Sequence, residues 1–283
     1  MKKAILITLM ICSALANAKH LKMKLQKALD EHYIKASANS LGGYQGFCIQ
    51  MNLINMSSDS LFILIEAGRR LNSLEEKDQD ILITRQEIIV LKKKEQKWVP
   101  VYGYCCQASN HCPKKNAKYG LNNLGDSSLV TLARFLNSNQ FDNNVTQQAI
   151  WALSDQQPSA QVYSKVDTLV KKLRNLVCTL KGEELPWYSL ETKTLVYQSG
   201  VMQNFATELS GQFNYIIPKD SYTTLHVFDK KGREVCKIIR QWSLKSNTIY
   251  DLKLPVKGMA KGKYTIELKT ENGEQVVQKS FEI

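Results

Sequence analysis

The stretch Gly46-Phe-Cys-Ile-Gln-Met-Asn-Leu-Ile-Asn55 alternates apolar and polar side chains along its length. A period of two is typical of a strand that buries one face, so this stretch is predicted to be a β-strand. Four more short strands are predicted downstream, over residues 61–66, 81–84, 87–91 and 98–106. Five strands at this spacing favour a small antiparallel sandwich or a curled sheet.

Helices are predicted where the apolar period changes from two to about 3.6. Asp126 precedes one helix, Asn144 precedes a second, and the longest is predicted over residues 162–180. A further helix is predicted over residues 21–35, because four apolar residues there fall on one stripe: Leu21, Leu25, Leu29 and Tyr33. The predicted fold class is therefore α+β and β-rich, with helices packed on a small N-terminal sheet.

The C-terminal third returns to strand period. Strands are predicted over residues 209–217, 224–228, 234–241, 248–252, 262–268 and 275–283, with turn-forming residues at 229–232 and 271–273. Residues 183–197 are mixed in character and are predicted to be a packed linker. The predicted domains are thus a sheet-plus-helices domain at 19–182 and a β-sandwich at 198–283.

Residues 1–18 have the pattern of a cleavable secretory signal. Lys2 and Lys3 are followed by a short apolar run, and Ala16 and Ala18 supply the small residues of a cleavage site. The run is too short to cross a bilayer, which takes about 20 apolar residues. The chain is therefore predicted to be exported to the periplasm, the outer-membrane surface or the medium, with no transmembrane segment after cleavage.

The formal net charge of +12 is dispersed along the chain, and cleavage of the leader lowers it by two. Outside the cytoplasm such a surface attracts anionic polymers. The predicted partners are an anionic envelope polysaccharide or another envelope or surface protein. No nucleic-acid-binding module accompanies the charge, so nucleic acid is not an expected partner. No phosphate-binding loop or hydrolase motif is present, and no cofactor is expected.

Six cysteines remain after the leader, an even number that allows disulfides in an exported chain. The candidates are Cys48, Cys105, Cys106 and Cys112. Adjacent residues on a strand face opposite sides, so Cys105 and Cys106 are not expected to bond each other, and one should face the core. The cluster lacks Cys-x-x-Cys spacing, so no metal site is predicted.

The C-terminal motifs resemble those of a known Ig-like domain type. The segment Thr224-Leu-His-Val-Phe-Asp-Lys-Lys-Gly-Arg-Glu-Val and the later Gly262-Lys-Tyr-Thr-Ile-Glu-Leu are similar to paired motifs of two families. These are the Ig-like domain of the flagellar hook-cap protein and the C-terminal sorting domains of type IX secretion in Bacteroidetes. The resemblance implies an Ig-like sandwich with Tyr264 in its core, and it leaves open a role as a sorting signal.

The motifs Gly103-Tyr-Cys-Cys-Gln and Val145-Thr-Gln-Gln-Ala-Ile-Trp resemble the paired motifs of thioester domains in surface adhesins. The resemblance implies that Cys105 supplies a thiol and Gln147 an acyl group, joined as an internal thioester that captures a nucleophile. Tyr104 and Trp151 would shield the bond. The alternative is a capping box, in which Asn144 caps a helix and Gln147 reaches back to it.

Three functions follow from these patterns. The first is an exported, non-enzymatic envelope or surface protein, a binding or structural module with an Ig-like C-terminal domain. The second is type IX secretion cargo with a C-terminal sorting domain. The third is a thioester adhesin with a Cys105–Gln147 bond.

Overall fold

The computed structural model describes residues 21–121, 123–165, 169–217, 219–243 and 247–283. The predicted leader lies outside these residues. Within them the chain has sixteen strands and four α-helices, an α+β fold rich in strands, as predicted. No helix in the described part is both long and apolar enough to cross a membrane.

Six strands of the N-terminal part form one closed antiparallel sheet. In spatial order they are β2 (Ile34–Ser40), β3 (Gln45–Asn55), β8 (Gln96–Cys105), β6 (Ile81–Ile83), β5 (Arg70–Ser73) and β9 (Lys118–Gly120). Its interior holds a continuous apolar cluster that includes Ile49, Met51, Val101 and Cys105. The alternation of β3 is interrupted once: the register with β8 shifts between Phe47 and Ile49, which leaves Phe47 54% exposed.

A second, three-stranded sheet joins β1 (Leu21–Lys24), β4 (Leu61–Ile65) and β7 (Glu87–Leu91), with β1 parallel to β4. The helix predicted over residues 21–35 is therefore wrong. Only α1 (Leu25–Asp30) is helical there, and β2 begins at Ile34. The segment Leu21-Lys-Met-Lys24 also alternates apolar and polar side chains with a period of two. Pairing with β4 favours the strand over the helix because it buries Met23.

Three helices pack against the closed sheet: α2 (Ser127–Ser138), α3 (Asn143–Ser154) and α4 (Leu169–Lys181). Asp126 caps α2, as predicted, by accepting a hydrogen bond from the backbone of Leu129 at 2.9 Å. The helix predicted over 162–180 is wrong at its start, because residues 159–161 form a 3₁₀ turn and 162–165 are irregular. Residues 166–168 lie outside the described chain.

The C-terminal part consists of two antiparallel sheets. One contains β10 (Tyr188–Val196), β11 (Met202–Ile216) and β14 (Asn247–Pro255); the other contains β13 (Glu234–Ser243), β12 (Ser221–Asp229), β15 (Lys263–Thr270) and β16 (Gln275–Glu282). Both contribute to one buried cluster, so they pack face to face. The linker predicted over 183–197 is wrong, since β10 pairs with β11 along its whole length.

The two parts meet at the β10–β11 hairpin. The backbone N–H of Cys112 donates to Gly200 O at 2.8 Å. Buried amide side chains join Gln148 of α3 and Gln161 of the 3₁₀ turn to Asn204 of β11. Strand β11 thus connects the C-terminal sheets to the helix that packs on β8.

Candidate functional site

Helix α3 lies across the end of strand β8. Two of its polar side chains donate hydrogen bonds to the main-chain carbonyls of Cys105 and Cys106. Gln147 donates through Nε2 to Cys105 O at 2.7 Å. Seven residues later, Ser154 donates through Oγ to Cys106 O at 2.6 Å. The helix and the strand end are therefore held in a defined register by buried polar contacts.

The structure places the Gln147 side chain against the main chain of Cys105, whereas the Cys105 thiol lies in the apolar cluster inside the closed sheet. Cys105 is fully buried and Gln147 is 1% exposed. The Gln147 amide touches the main chain of Cys105, while its Oε1 atom has no hydrogen-bond partner among the described residues. An unpaired buried carbonyl costs about 1–3 kcal/mol, so this is an unusual state for a purely structural glutamine.

The alternative capping-box prediction for Gln147 is wrong. The N-cap of α3 is Asp142, whose side chain accepts a hydrogen bond from Asn144 N at 2.8 Å. Helix α3 begins at Asn143, so Asn144 lies inside its first turn and Gln147 lies beyond the position of a capping partner. Gln147 points to the strand instead of to its own helix start.

Cys105 and Cys106 face opposite sides, as their adjacency predicts. Cys105 belongs to the apolar cluster inside the closed sheet, and Cys106 to the cluster beneath the helices. Burial raises the pKa of Cys105 well above its ordinary value, and the nearby thiols of Cys48 and Cys112 add to the effect. Burial also raises the pKa of Cys106 to about 12, against the opposing influence of Arg70.

The four cysteines predicted as disulfide candidates are free thiols in the structure. Cys48 donates to Gly103 O at 3.5 Å, and burial raises its pKa to about 12. Cys112 is less buried, and its pKa is raised by burial too. A disulfide within Cys48, Cys105, Cys106 and Cys112 stays a prediction. In the described part of the chain no group of three or more metal-binding side chains is arranged around a common point.

Trp151 lies one helical turn after Gln147 on α3. It is fully buried and packs with Ala108 and Met202, next to the partly buried Tyr44 and Cys112. Its indole Nε1 has no partner among the described residues.

A polar cavity of about 200 Å³ lies near the start of α3, and its lining includes Tyr104 and Thr146, the chain neighbours of Cys105 and Gln147. The hydroxyls of Tyr102 and Tyr104 both donate to Asn143 Oδ1 at 2.8 Å. The guanidinium of Arg85 lies 3.7 Å from the centre of the Tyr102 ring. The cavity mouth is thus built from hydroxyl, amide and guanidinium groups.

Sequence reasoning missed Asn143 and Ser154 as partners of the site. They lie four residues before and seven residues after Gln147, which places all three on one face of a helix. The polar face that these three residues share is a detectable signal, but a weak one, because Asn144, Thr146 and Gln148 of the same helix are polar as well. The targets of Asn143, Gln147 and Ser154 could not be read from the sequence, because two are main-chain carbonyls of a remote strand.

Comparison with known protein families, curated proteins and solved structures found no match to this chain. Its class therefore follows from the fold and the site alone. It is an α+β protein in which a buried glutamine from a helix meets a buried cysteine at the end of a strand.

Proposed function

We propose that this chain is an exported, non-enzymatic envelope or surface binding protein that holds its target covalently, through an internal thioester between Cys105 and Gln147. The observation that carries the proposal is the buried contact between the Gln147 amide and the Cys105 main chain at 2.7 Å. It joins two residues 42 positions apart. The contact also gives the Gln147 side chain a role other than helix capping.

The proposed chemistry needs no cofactor. The sulfur of Cys105 attacks Cδ of Gln147, the Cδ–Nε2 bond breaks, and the thiol proton leaves with the nitrogen as ammonia. An amine or hydroxyl of the target then attacks the acyl carbon. An amide or ester forms, and the proton of the target restores the Cys105 thiol.

The environment of the pair supports this chemistry in two ways. Both members of the pair are buried, with Cys105 fully buried and Gln147 1% exposed, which keeps water, the competing nucleophile, away from an acyl group. The unpaired Oε1 of Gln147 also matters, because a thioester carbonyl is a weaker acceptor than an amide carbonyl. Leaving a thioester oxygen without a hydrogen bond at this position therefore costs less free energy than leaving the amide Oε1 of Gln147 without one.

A cavity near the start of α3 is a candidate entry point for the target. It is lined by Tyr104 and Thr146, the chain neighbours of the pair, and not by Cys105 or Gln147 themselves. Because both members of the pair are buried, capture from this cavity requires a local opening of the start of α3.

The C-terminal sheets fit a platform role in this proposal. Their shared core includes Tyr264 stacked on Phe281 with ring centres 5.2 Å apart. Asp229 accepts two backbone hydrogen bonds that shape the β12–β13 hairpin, where Gly232 has a φ of 74°. These are the features on which the resemblance to an Ig-like sandwich rests, and we propose that fold for the C-terminal sheets, β10 to β16.

The intact mass of the secreted protein under non-reducing conditions tests the proposal. A thioester lowers the mass by about 17 Da relative to the sequence, because one ammonia is lost. We expect this deficit in the wild type and its absence in Cys105→Ala and Gln147→Ala. Cys106→Ala is the matched control, since that thiol is equally buried and lies in the cluster beneath the helices, where it is the neighbouring thiol that could replace Cys105.

A disulfide cannot imitate this result, because it lowers the mass by only about 2 Da. Exposure to methylamine should add the amine and abolish the deficit in the wild type and in Cys106→Ala, and should leave the masses of Cys105→Ala and Gln147→Ala unchanged. A wild-type mass without the ammonia loss rejects the thioester.

A further inference from the structure

Two adjoining hollows lie at one end of the C-terminal sheets, remote in sequence from Cys105 and Gln147. Their volumes are about 430 and 410 Å³. Both are lined by Gly258, Met259 and Lys261, which belong to the loop between β14 and β15. The shared loop makes them two halves of one cleft, here called the basic cleft.

The charges of the basic cleft are almost all positive. Its lining cations come from the β12–β13 hairpin and from the loop and first residue of β15: Lys230, Lys231, Arg233, Lys257, Lys261 and Lys263. The side-chain carboxylate among the lining residues is that of Asp229, and it is bound to Arg233 at 2.6 Å. The five lysines are exposed and form no ion pair with a described residue.

Uncompensated cations around a concave surface repel one another, and the cleft geometry concentrates their field. A ligand with several anionic groups removes that repulsion. The positive charge is thus focused at one place on the C-terminal sheets, instead of being only a property of the whole chain.

The half of the cleft nearer the N-terminal part has a different chemistry. Tyr197 is 48% exposed, and its hydroxyl donates to Gln203 Oε1 at 2.7 Å, which fixes the ring in place. Phe205 and the amide of Gln203 line the same hollow. A fixed aromatic face beside an exposed amide suits a ring that is apolar on its face and carries hydroxyls at its edge.

We infer that the basic cleft binds an acidic polysaccharide, with its carboxylates on the lysines and a sugar ring against Tyr197. Each hollow has the size of a small-ligand site and accommodates a sugar unit. The concave shape suits a threaded chain better than a flat membrane surface. The inference does not depend on the thioester, because the cleft uses neither Cys105 nor Gln147.

The test measures binding of the full-length secreted protein to polygalacturonate, with neutral dextran for comparison. We expect polygalacturonate to bind, dextran not to bind, and affinity to fall as salt rises. The double variant Lys257→Glu/Lys261→Glu should bind polygalacturonate about tenfold or more weakly. The matched control is Lys171→Glu/Lys172→Glu, which changes net charge equally on exposed residues in the first turn of α4.

The control should stay within about threefold of the wild type, because its lysines lie outside the cleft. An equal loss in both double variants would mean that net charge alone drives binding, and the inference would fail. Absence of polygalacturonate binding by the wild type at low salt would also overturn it. Since the substituted residues are exposed, thermal unfolding should show that both variants remain folded.

A second variant separates a glycan from other polyanions. Tyr197→Ala should weaken polygalacturonate binding and leave binding of polyglutamate unchanged, because only the sugar uses the ring. Equal weakening for both polymers contradicts the stacking role. Tighter binding of DNA or of anionic vesicles than of polygalacturonate would assign the cleft to another partner class and overturn the inference.

Discussion

Gln147 carries two polar atoms into a region that water does not reach, and only one of them finds a described partner. A glutamine that served only to cap a carbonyl could be replaced by a smaller donor at lower cost. Its neighbour Gln148 shows the ordinary solution, with both amide atoms bonded to Asn204. The contrast between adjacent residues on one helix is the residue-level reason to look for chemistry at Gln147.

Thiol reactivity at this scale follows from burial. Burial raises the pKa of Cys48 and Cys106 to about 12, so at pH 8 only about one thiol in ten thousand is ionised. We expect an aromatic disulfide reagent to label Cys112 and Cys236 first in the native protein, because both are only partly buried. Peptide mass mapping after timed quenching identifies the labelled sites.

Labelling of Cys48 and Cys106 should be slow at pH 8 in the native protein, should accelerate as the pH rises, and should become fast when denaturant unfolds the chain. Labelling in guanidinium is the control that all sites are chemically competent. Fast native labelling of Cys106 at pH 8 would contradict its burial.

At the scale of elements, helix α3 positions Gln147. The residue at which α3 begins determines which of the helix side chains face strand β8. Asp142 caps it, although Asn144 was the predicted cap. An N-cap stabilises the folded chain because it satisfies a helix N–H that otherwise has no partner.

The two candidate caps can be separated by substitution. Asp142→Ala should lower the free energy of unfolding by about 1 kcal/mol. Asn144→Ala is the matched control and should be neutral or slightly stabilising, since alanine favours a helix interior. Urea unfolding followed by circular dichroism measures both, and a larger loss for Asn144→Ala would show that α3 begins two residues later.

At the scale of the molecule, a small buried amide network joins the N-terminal and C-terminal parts. Asn204 donates through Nδ2 to Gln148 Oε1 at 3.0 Å and to Gln161 Oε1 at 2.9 Å. These contacts link β11, α3 and the 3₁₀ turn. All three amides are buried, so each depends on the others for its hydrogen bonds.

Removing the central member of this network should weaken the whole junction. Asn204→Ala leaves two buried glutamines without their partner and should cost about 1–3 kcal/mol. Asn214→Ala, on an exposed position of the same strand, is the control and should change little. Scanning calorimetry distinguishes them. An unchanged thermal midpoint in Asn204→Ala would mean that the network does not couple the two parts.

The sequence by itself determined the elements whose local pattern had a single interpretation. Strands β3, β4 and β7, helix α2 with its Asp126 cap, and most C-terminal strands were predicted close to their observed bounds. The opposite facing of Cys105 and Cys106 was also predictable, because it follows from strand geometry alone. The pairing of Cys105 with Gln147 as a thioester stays a prediction.

Tertiary structure decided the elements whose pattern fitted two conformations. Residues 21–24 carry both helical and strand periods, and only pairing with β4 selects the strand. Strand β10 could be assigned only from its antiparallel pairing with β11. The register of α3 on β8 was likewise a tertiary outcome, because it depends on main-chain carbonyls that no side-chain pattern encodes. Local periodicity records which face of an element is buried, whereas the partner that buries it is set by packing across the whole chain.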